Sequence, residues 1–357
     1  MLNRQPANIL IIRLSAIGDI VMASGLIAPL KQAYPASHIY WLAQPECKAL
    51  LEQHPDLSGV IIWPRQEWAA CWRARDWRGL WQAVRQFRQA LRAHHFDVVL
   101  DLQGLLKSGL MAWLSGAGQR IGLGSREGAQ FLMHQVVSRH DGNPDQISSE
   151  YRYLGAQLGL AVEPWQMCIS LDPASHQQAD MLIRAHAAEK GFVVICPFTT
   201  RPQKHWFNAH WIELVEKINS TWRLPVLMLG GPADREAAQT ISAHCPVTDL
   251  SGQTSLRVAA ALIAHCRLLV GVDTGLTHMG HAFRVPTVAL FGSTRPYLEP
   301  GSPRSRVIYH ALSCSPCKRH PTCDGRFDCL RHITADEVME VAQPLMEETH
   351  HNESAAC

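Results

Sequence analysis

The sequence predicts an α/β protein built from two doubly wound domains, and three observations carry that expectation. The chain has 357 residues, roughly two domains at about 150 residues each. Short apolar runs of strand length recur along it, each followed by a stretch with helical spacing. The alternation lapses in a polar stretch near residues 172–190 and then begins again. Strands alternating with helices pair in parallel, with helices on both faces of each sheet. A composition of 47% hydrophobic and 18% charged residues can fill two such cores, which excludes disordered and fibrous classes. The boundary falls near residue 170, giving domains 1–170 and 171–357.

In chain order, a buried strand at 9–12 leads through Ser15-Ala-Ile-Gly-Asp19 into a helical stretch from Ile20 towards Tyr34, ended by Pro35. A strand near 39–42, a helix around 48–53 and a strand at 59–63 follow. A long helix at 76–94 carries Trp77, Leu80, Trp81, Val84, Phe87 and Leu91 at helical spacing, and its Trp77 and Trp81 read as core. The strand 96–101 then leads into Gln103-Gly104 and another helix. In the second domain, buried strands are expected at 192–196, 225–229, 268–272 and 287–291, with helices at 208–219, 233–244 and 255–265.

Lys plus Arg number 33 and Asp plus Glu 31, a net +2, which removes the global electrostatic case for a nucleic-acid partner. No stretch reaches the ~18 uninterrupted apolar residues of a membrane span. The first apolar run is too short and too charged to be an export signal. Of 11 cysteines, six are scattered (Cys47, Cys71, Cys168, Cys196, Cys245, Cys266), so reduced thiols in a cytosolic compartment are expected.

Ligands of open parallel sheets bind beyond the carboxyl ends of the strands, so the loops there are where chemistry is sought. Two such domains facing each other would give a central cleft. Asp19 follows the first strand, where no G-x-G-x-x-G supports a nicotinamide or flavin site; it is either a helix cap or a general base. Pro197-Phe-Thr199-Thr200-Arg-Pro-Gln-Lys204 places hydroxyls and an ammonium just ahead of a helix, which favours an anion. Gly271-Val-Asp273-Thr274-Gly275-Leu-Thr-His278 sets a hydroxyl and a close-approach glycine at another strand end. Asp273 cannot bind phosphate directly, so it orients the loop or meets a sugar hydroxyl. Two phosphate-ready loops in one domain suggest a diphosphate.

These segments, with Arg13-Leu-Ser-Ala-Ile-Gly-Asp19 and Asp101-Leu-Gln-Gly-Leu-Leu-Lys107, resemble the ADP-heptose:lipopolysaccharide heptosyltransferases of glycosyltransferase family nine, in order over residues 9–298. The resemblance implies a GT-B fold with an N-terminal acceptor domain and a C-terminal donor domain. It makes Asp19 the catalytic base and Thr199, Thr200, Lys204, Thr274 and Gly275 holders of the donor diphosphate. Glu236 would meet the nucleoside, Asp273 and His278 would lie beside the heptose and diphosphate, and Lys107 and Arg126 would contact the acceptor. The implied reaction is inverting transfer of heptose from ADP-heptose to a Kdo-lipid A acceptor, most like the first-heptose subgroup. A second- or third-heptose transferase and a GT-B nucleotide-sugar epimerase stand as alternatives. No D-x-D stands at a strand end to hold a divalent ion, so no metal and no cofactor are expected.

Two further features stand apart. Five tryptophans (63, 68, 72, 77, 81) interleave with seven arginines between residues 63 and 92. The segment 65–75 suits an anionic headgroup surface, consistent with peripheral contact at the cytoplasmic face of an inner membrane, or is an ordinary basic surface. Cys314, Cys317, Cys323 and Cys329 lie within sixteen residues. Their spacing departs from paired zinc knuckles, leaving a structural metal or free thiols open.

Overall fold

The computed structural model describes residues 5–125, 127–317 and 320–347. The chain divides into two compact units. Of the described residues, one holds those through Pro144 and Ser148–Ser170; the other holds Asp145–Ile147 and those from Leu171 to Glu347.

The first unit holds β1 (Asn8–Ile12), β2 (His38–Ala43), β3 (Gly59–Ile62), β4 (Val98–Asp101), β5 (Gln119–Leu123) and β6 (Gln135–Val137). They form one sheet in the order β3-β2-β1-β4-β5-β6, every pair parallel. The second unit repeats the plan with β7 (Val193–Cys196), β8 (Val226–Met228), β9 (Thr248–Asp249), β10 (Leu268–Val272), β11 (Thr287–Phe291) and β12 (Ser305–Tyr309). Its order is β12-β11-β10-β7-β8-β9, again all parallel.

Helices cover both faces, so the central strands bury both sets of side chains and read as unbroken apolar runs. Ile9 and Ile11 join Trp41, Leu100 and Ile121 in one core. Leu10, Ile12, Leu42 and Val99 turn to the other face and pack against Phe87, Leu91 and Met111. In the second unit, Val193, Ile195, Val270 and Leu290 share a core with Trp206, Trp211 and Leu214.

The stretch 20–34 is two helices, Ile17–Ser24 and Ile27–Ala33. Pro29 lacks an N–H and belongs in a first turn, and Gly25 sits against the indole of Trp165 where no Cβ would fit. The polar stretch after residue 171 holds a helix, Pro173–Ala185, capped by Asp172, whose carboxylate accepts the Ser175 N–H at 2.6 Å. The segment before the long helix is itself helical, Arg65–Arg73. The edge strands β6, β9 and β12 are short or half-exposed, and β5, inside its sheet, opens on Gln119-Arg120, so none carries the unbroken apolar run of the central strands.

The long helix spans Trp77–Ala93 and starts from Asp76, whose carboxylate accepts the Gly79 N–H. Its core face is Ala83, Phe87 and Leu91. Trp77 and Trp81 are 55% and 63% exposed, which corrects their reading as core. At about 100° per residue Trp81 lies about 120° around the helix from Phe87, so the indoles stand beside the buried face and not on it.

Nine described cysteines are free thiols, whereas Cys168 is disulfide-bonded, against the expectation of reduced thiols throughout. Burial pushes the Cys47 thiol up to about 12 and that of Cys245 up to about 11, so neither is a thiolate near neutral pH.

Candidate active site

In each sheet the strand order reverses at one point, between β1 and β4 and between β7 and β10. There the loops leaving two neighbouring strands diverge and open a crevice, the usual ligand position of such sheets. The four sequence motifs are the loops at these two reversal points.

In the first unit, Asp19 stands in the first turn of Ile17–Ser24. Its Oδ2 accepts the Ala16 N–H at 3.1 Å and pairs with the Arg13 guanidinium. Oδ1 makes no hydrogen bond among the described residues, and the side chain is 35% exposed. Asp19 thus closes the start of the helix through one oxygen, as the capping reading expects, and leaves its other oxygen without a hydrogen bond among the described residues. Arg13 is buried, donates from Nη1 to the Leu102 carbonyl at 2.9 Å, and lies over the Tyr151 ring. The Leu14 N–H donates to Gln103 Oε1 at 2.7 Å, a second tie between the β1 and β4 loops. Asp101 organises the β4 loop by accepting from the N–H groups of Gln103 and Gly104 and from Ser108 Oγ. Burial pushes its carboxyl above the ordinary range.

Lys107 lies in the first turn of the helix Leu106–Ser115, with its ammonium 6.0 Å above the Trp63 ring. Partial burial, and then the charge of Arg65, hold it below the ordinary lysine value. It takes part in no ion pair among the described residues. The charges that act on it are the cations Arg65 and Arg13 and the carboxylate of Glu127. Arg126 lies outside the described residues.

In the second unit, the β7 and β10 loops meet through Lys204 and Asp273. Lys204 Nζ is 2.5 Å from Asp273 Oδ2 and donates to the Asp273 carbonyl at 3.3 Å. Thr294 donates to the same Oδ2 at 2.6 Å. His278 Nε2 lies 3.4 Å from Oδ1, and its Nδ1 lies 2.9 Å from the Tyr297 hydroxyl. A carboxylate only accepts, so Nε2 carries a proton, and the Tyr297 O–H donates to Nδ1 in the neutral ring. Burial alone would raise the Asp273 carboxyl, but the His278 hydrogen bond and the Lys204 charge outweigh it and hold the carboxyl well below the usual range. Asp273 therefore orients both loops and is a carboxylate throughout the physiological range.

Thr274 is the N-cap residue of the helix Gly275–Ala282 and makes no side-chain cap hydrogen bond. Its hydroxyl and the first-turn N–H groups beginning at Gly275 have no partners within the helix and suit an anion. Thr199 and Thr200 lie on the β7 loop, where the Thr199 carbonyl accepts from His205 Nε2 at 2.7 Å. Glu236 is exposed in the first turn of Arg235–Ser242, beyond the carboxyl end of β8 and one strand away, with no ion pair to this network among the described residues. Thr294, Tyr297 and Arg13 join these networks although sequence reasoning gave them no role. Arg13 had a signal, a charge at the end of an otherwise apolar strand run.

The cysteine cluster provides no comparable geometry. Among the described residues, no group of three or more His, Cys, Asp or Glu stands where it could hold a metal ion.

A model of glycosyltransferase family 9 (heptosyltransferase) matches residues 84–326. Lipopolysaccharide heptosyltransferase 1 of Pseudomonas aeruginosa is 27% identical over 327 residues, 88% of this chain and 87% of its own. Lipopolysaccharide heptosyltransferase 2 of Salmonella typhimurium is 27% identical over 360 residues, 95% of this chain and 99% of its own. The solved structure of E. coli ADP-heptose LPS heptosyltransferase II is similar in fold, with a TM-score of 0.74 at 23% identity over 96% of this chain and 100% of that one.

Proposed function

The chain belongs to glycosyltransferase family 9, the heptosyltransferases, and on that premise we propose that it moves heptose from ADP-heptose to the Kdo/lipid A inner core of lipopolysaccharide, adding the first heptose. The observation that carries this reading is the Lys204–Asp273 pair, which ties together two anion-ready loops at one strand reversal. The donor named for the similar E. coli structure, ADP-heptose, supplies the diphosphate such loops suit.

In this mechanism the acceptor hydroxyl oxygen attacks the anomeric carbon while ADP departs from the opposite face. Asp19 Oδ1 takes the hydroxyl proton, with Arg13 fixing the other oxygen of the same carboxylate. The departing diphosphate gathers charge, and Lys204, the hydroxyls of Thr199, Thr200 and Thr274, and the helix end at Gly275 stabilise it without a metal. Glu236 is assigned to the nucleoside and His278 to the heptose side of the diphosphate. Lys107 and Arg126 receive the anionic groups of the acceptor. An acceptor of this kind is a membrane lipid, so the reading includes peripheral contact with the cytoplasmic face of the inner membrane.

Heptosyltransferase 1 and heptosyltransferase 2 relatives are equally identical to the chain, which keeps transfer of the second heptose as the competing assignment. The test is transfer from ADP-heptose to acceptors that differ in Kdo and heptose content. Product from the heptose-free Kdo acceptor supports the first-heptose reading. Product only from an acceptor already bearing one heptose replaces it, and turnover of ADP-heptose with no acceptor consumed refutes transfer altogether.

A further inference from the structure

Among the described residues, eight of the ten exposed large hydrophobic side chains belong to the first unit. Trp72, Trp77 and Trp81 are each more than half exposed, and the rings of Trp72 and Trp77 meet edge to face at 5.1 Å. On the adjoining helix Leu106–Ser115, Leu110 and Trp113 are also exposed, while Met111 and Leu114 pack with Phe87 and Leu91 beneath. Both helices therefore cover the same face of the sheet, and both turn apolar side chains outward. Soluble surfaces rarely leave several large aromatic groups in water without a partner.

The charge around them is one-sided. Residues 65–92 contain seven arginines against Glu67 and Asp76, and the carboxylate of Asp76 is engaged in capping the long helix. Among the described residues none of these arginines is in an ion pair. The Arg85 guanidinium lies 5.2 Å over the Trp81 ring, so cation and indole already share one site. A second copy docking here face to face would oppose arginine to arginine. Indoles at headgroup depth with guanidinium groups among phosphates satisfy both halves of the pattern.

We propose that the outer face of the helices Arg65–Arg73, Trp77–Ala93 and Leu106–Ser115 docks on an anionic lipid bilayer. The surface runs into the acceptor edge: Arg65 begins the helix after β3, and Trp63 and Arg65 flank Lys107. Docking in this way brings lipid headgroups to the loop that carries Lys107. Only this last step rests on the proposed lipid acceptor; the docking itself stands on the indoles and arginines.

The test is co-sedimentation of the full chain with phosphatidylglycerol-containing vesicles and with phosphatidylcholine vesicles. The protein partitions at least ten-fold better onto the anionic vesicles, and the preference shrinks as salt is raised. An Arg75→Gln/Arg78→Gln/Arg85→Gln variant loses about five-fold per arginine. A Trp72→Ser/Trp77→Ser/Trp81→Ser variant loses at least ten-fold while retaining wild-type ADP affinity and far-UV circular dichroism. Equal partitioning of wild type and both variants overturns the proposal, as does absence of binding to anionic vesicles. It is also overturned if the tryptophan variant changes only the oligomeric state in gel filtration, since the face then covers a second copy. Sedimentation involves no sugar, so docking without heptose transfer removes the proposed function and leaves this surface standing.

Discussion

Lys204 and Asp273 are 69 residues apart in sequence, yet their side chains meet at 2.5 Å and join the loops that follow β7 and β10. The ammonium is thereby fixed before any ligand arrives, on a carboxylate that Thr294 and His278 also hold. A donor diphosphate binding here shares the lysine with Asp273.

Replacing Lys204 with Ala removes the cation between the two loops and leaves the buried Asp273 carboxylate without its counter-ion. Loss of a charge-assisted hydrogen bond of this kind costs about 1.5–3 kcal/mol, so ADP affinity measured calorimetrically falls roughly 10- to 150-fold. An unchanged dissociation constant would remove Lys204 from the donor site. With lysine, hydroxyls and a helix end providing the stabilisation, the wild-type transfer rate is the same in excess chelator.

Asp19→Asn keeps an acceptor for the Ala16 N–H but cannot take a proton. Loss of a general base lowers kcat by about 10²–10⁴-fold. ADP affinity stays at the wild-type value, because the loops proposed to hold the donor belong to the other unit. A variant with normal kcat would confine Asp19 to capping its helix.

Lys107→Gln removes a cation that has no ion pair among the described residues from the edge proposed to meet the acceptor, and leaves the proposed donor loops untouched. Steady-state kinetics should show KM for the anionic acceptor rising about ten-fold, a scale set by one charged hydrogen bond, with KM for ADP-heptose unchanged. Equal effects on both constants would contradict the assignment.

His281 is buried, with Nδ1 2.9 Å from Ser305 Oγ and Nε2 without a hydrogen-bond partner among the described residues. Burial, then the neighbouring His278, push it down to about 3. The folded ring stays neutral while the unfolded chain takes up a proton as pH falls through about 6.5. Stability therefore decreases from about pH 6.5 towards pH 3 and is unaffected by this group above that window. Thermal melts at stepped pH should show the slope, and His281→Asn, which keeps a partner for Ser305, should flatten it. A parallel slope in the variant would place the acid sensitivity elsewhere.

The sequence by itself determined the alternation of strands and helices and the loops where chemistry gathers. Each is written within a dozen neighbouring residues: apolar runs such as 268–272, and small, hydroxyl or charged residues just after them. Asp19, Lys204 and Thr274 were legible for that reason. Edge strands were not, because half-exposed strands such as β12 need few apolar residues.

Only the tertiary structure decided which of those residues act on one another. Arg13 gains its role because the turn after β1 carries Asp19 back to it and β4 lies alongside to accept its other hydrogen bond. Thr294 and Tyr297 complete the Asp273–His278 network from the loop after β11, and no local pattern announces a contact set by strand order. The fate of Trp77 and Trp81 was likewise tertiary. Periodicity shows which arc of a helix is apolar, but which part of that arc is covered is set by the neighbours it packs on: Ala83, Phe87 and Leu91 are buried and the two indoles are left exposed.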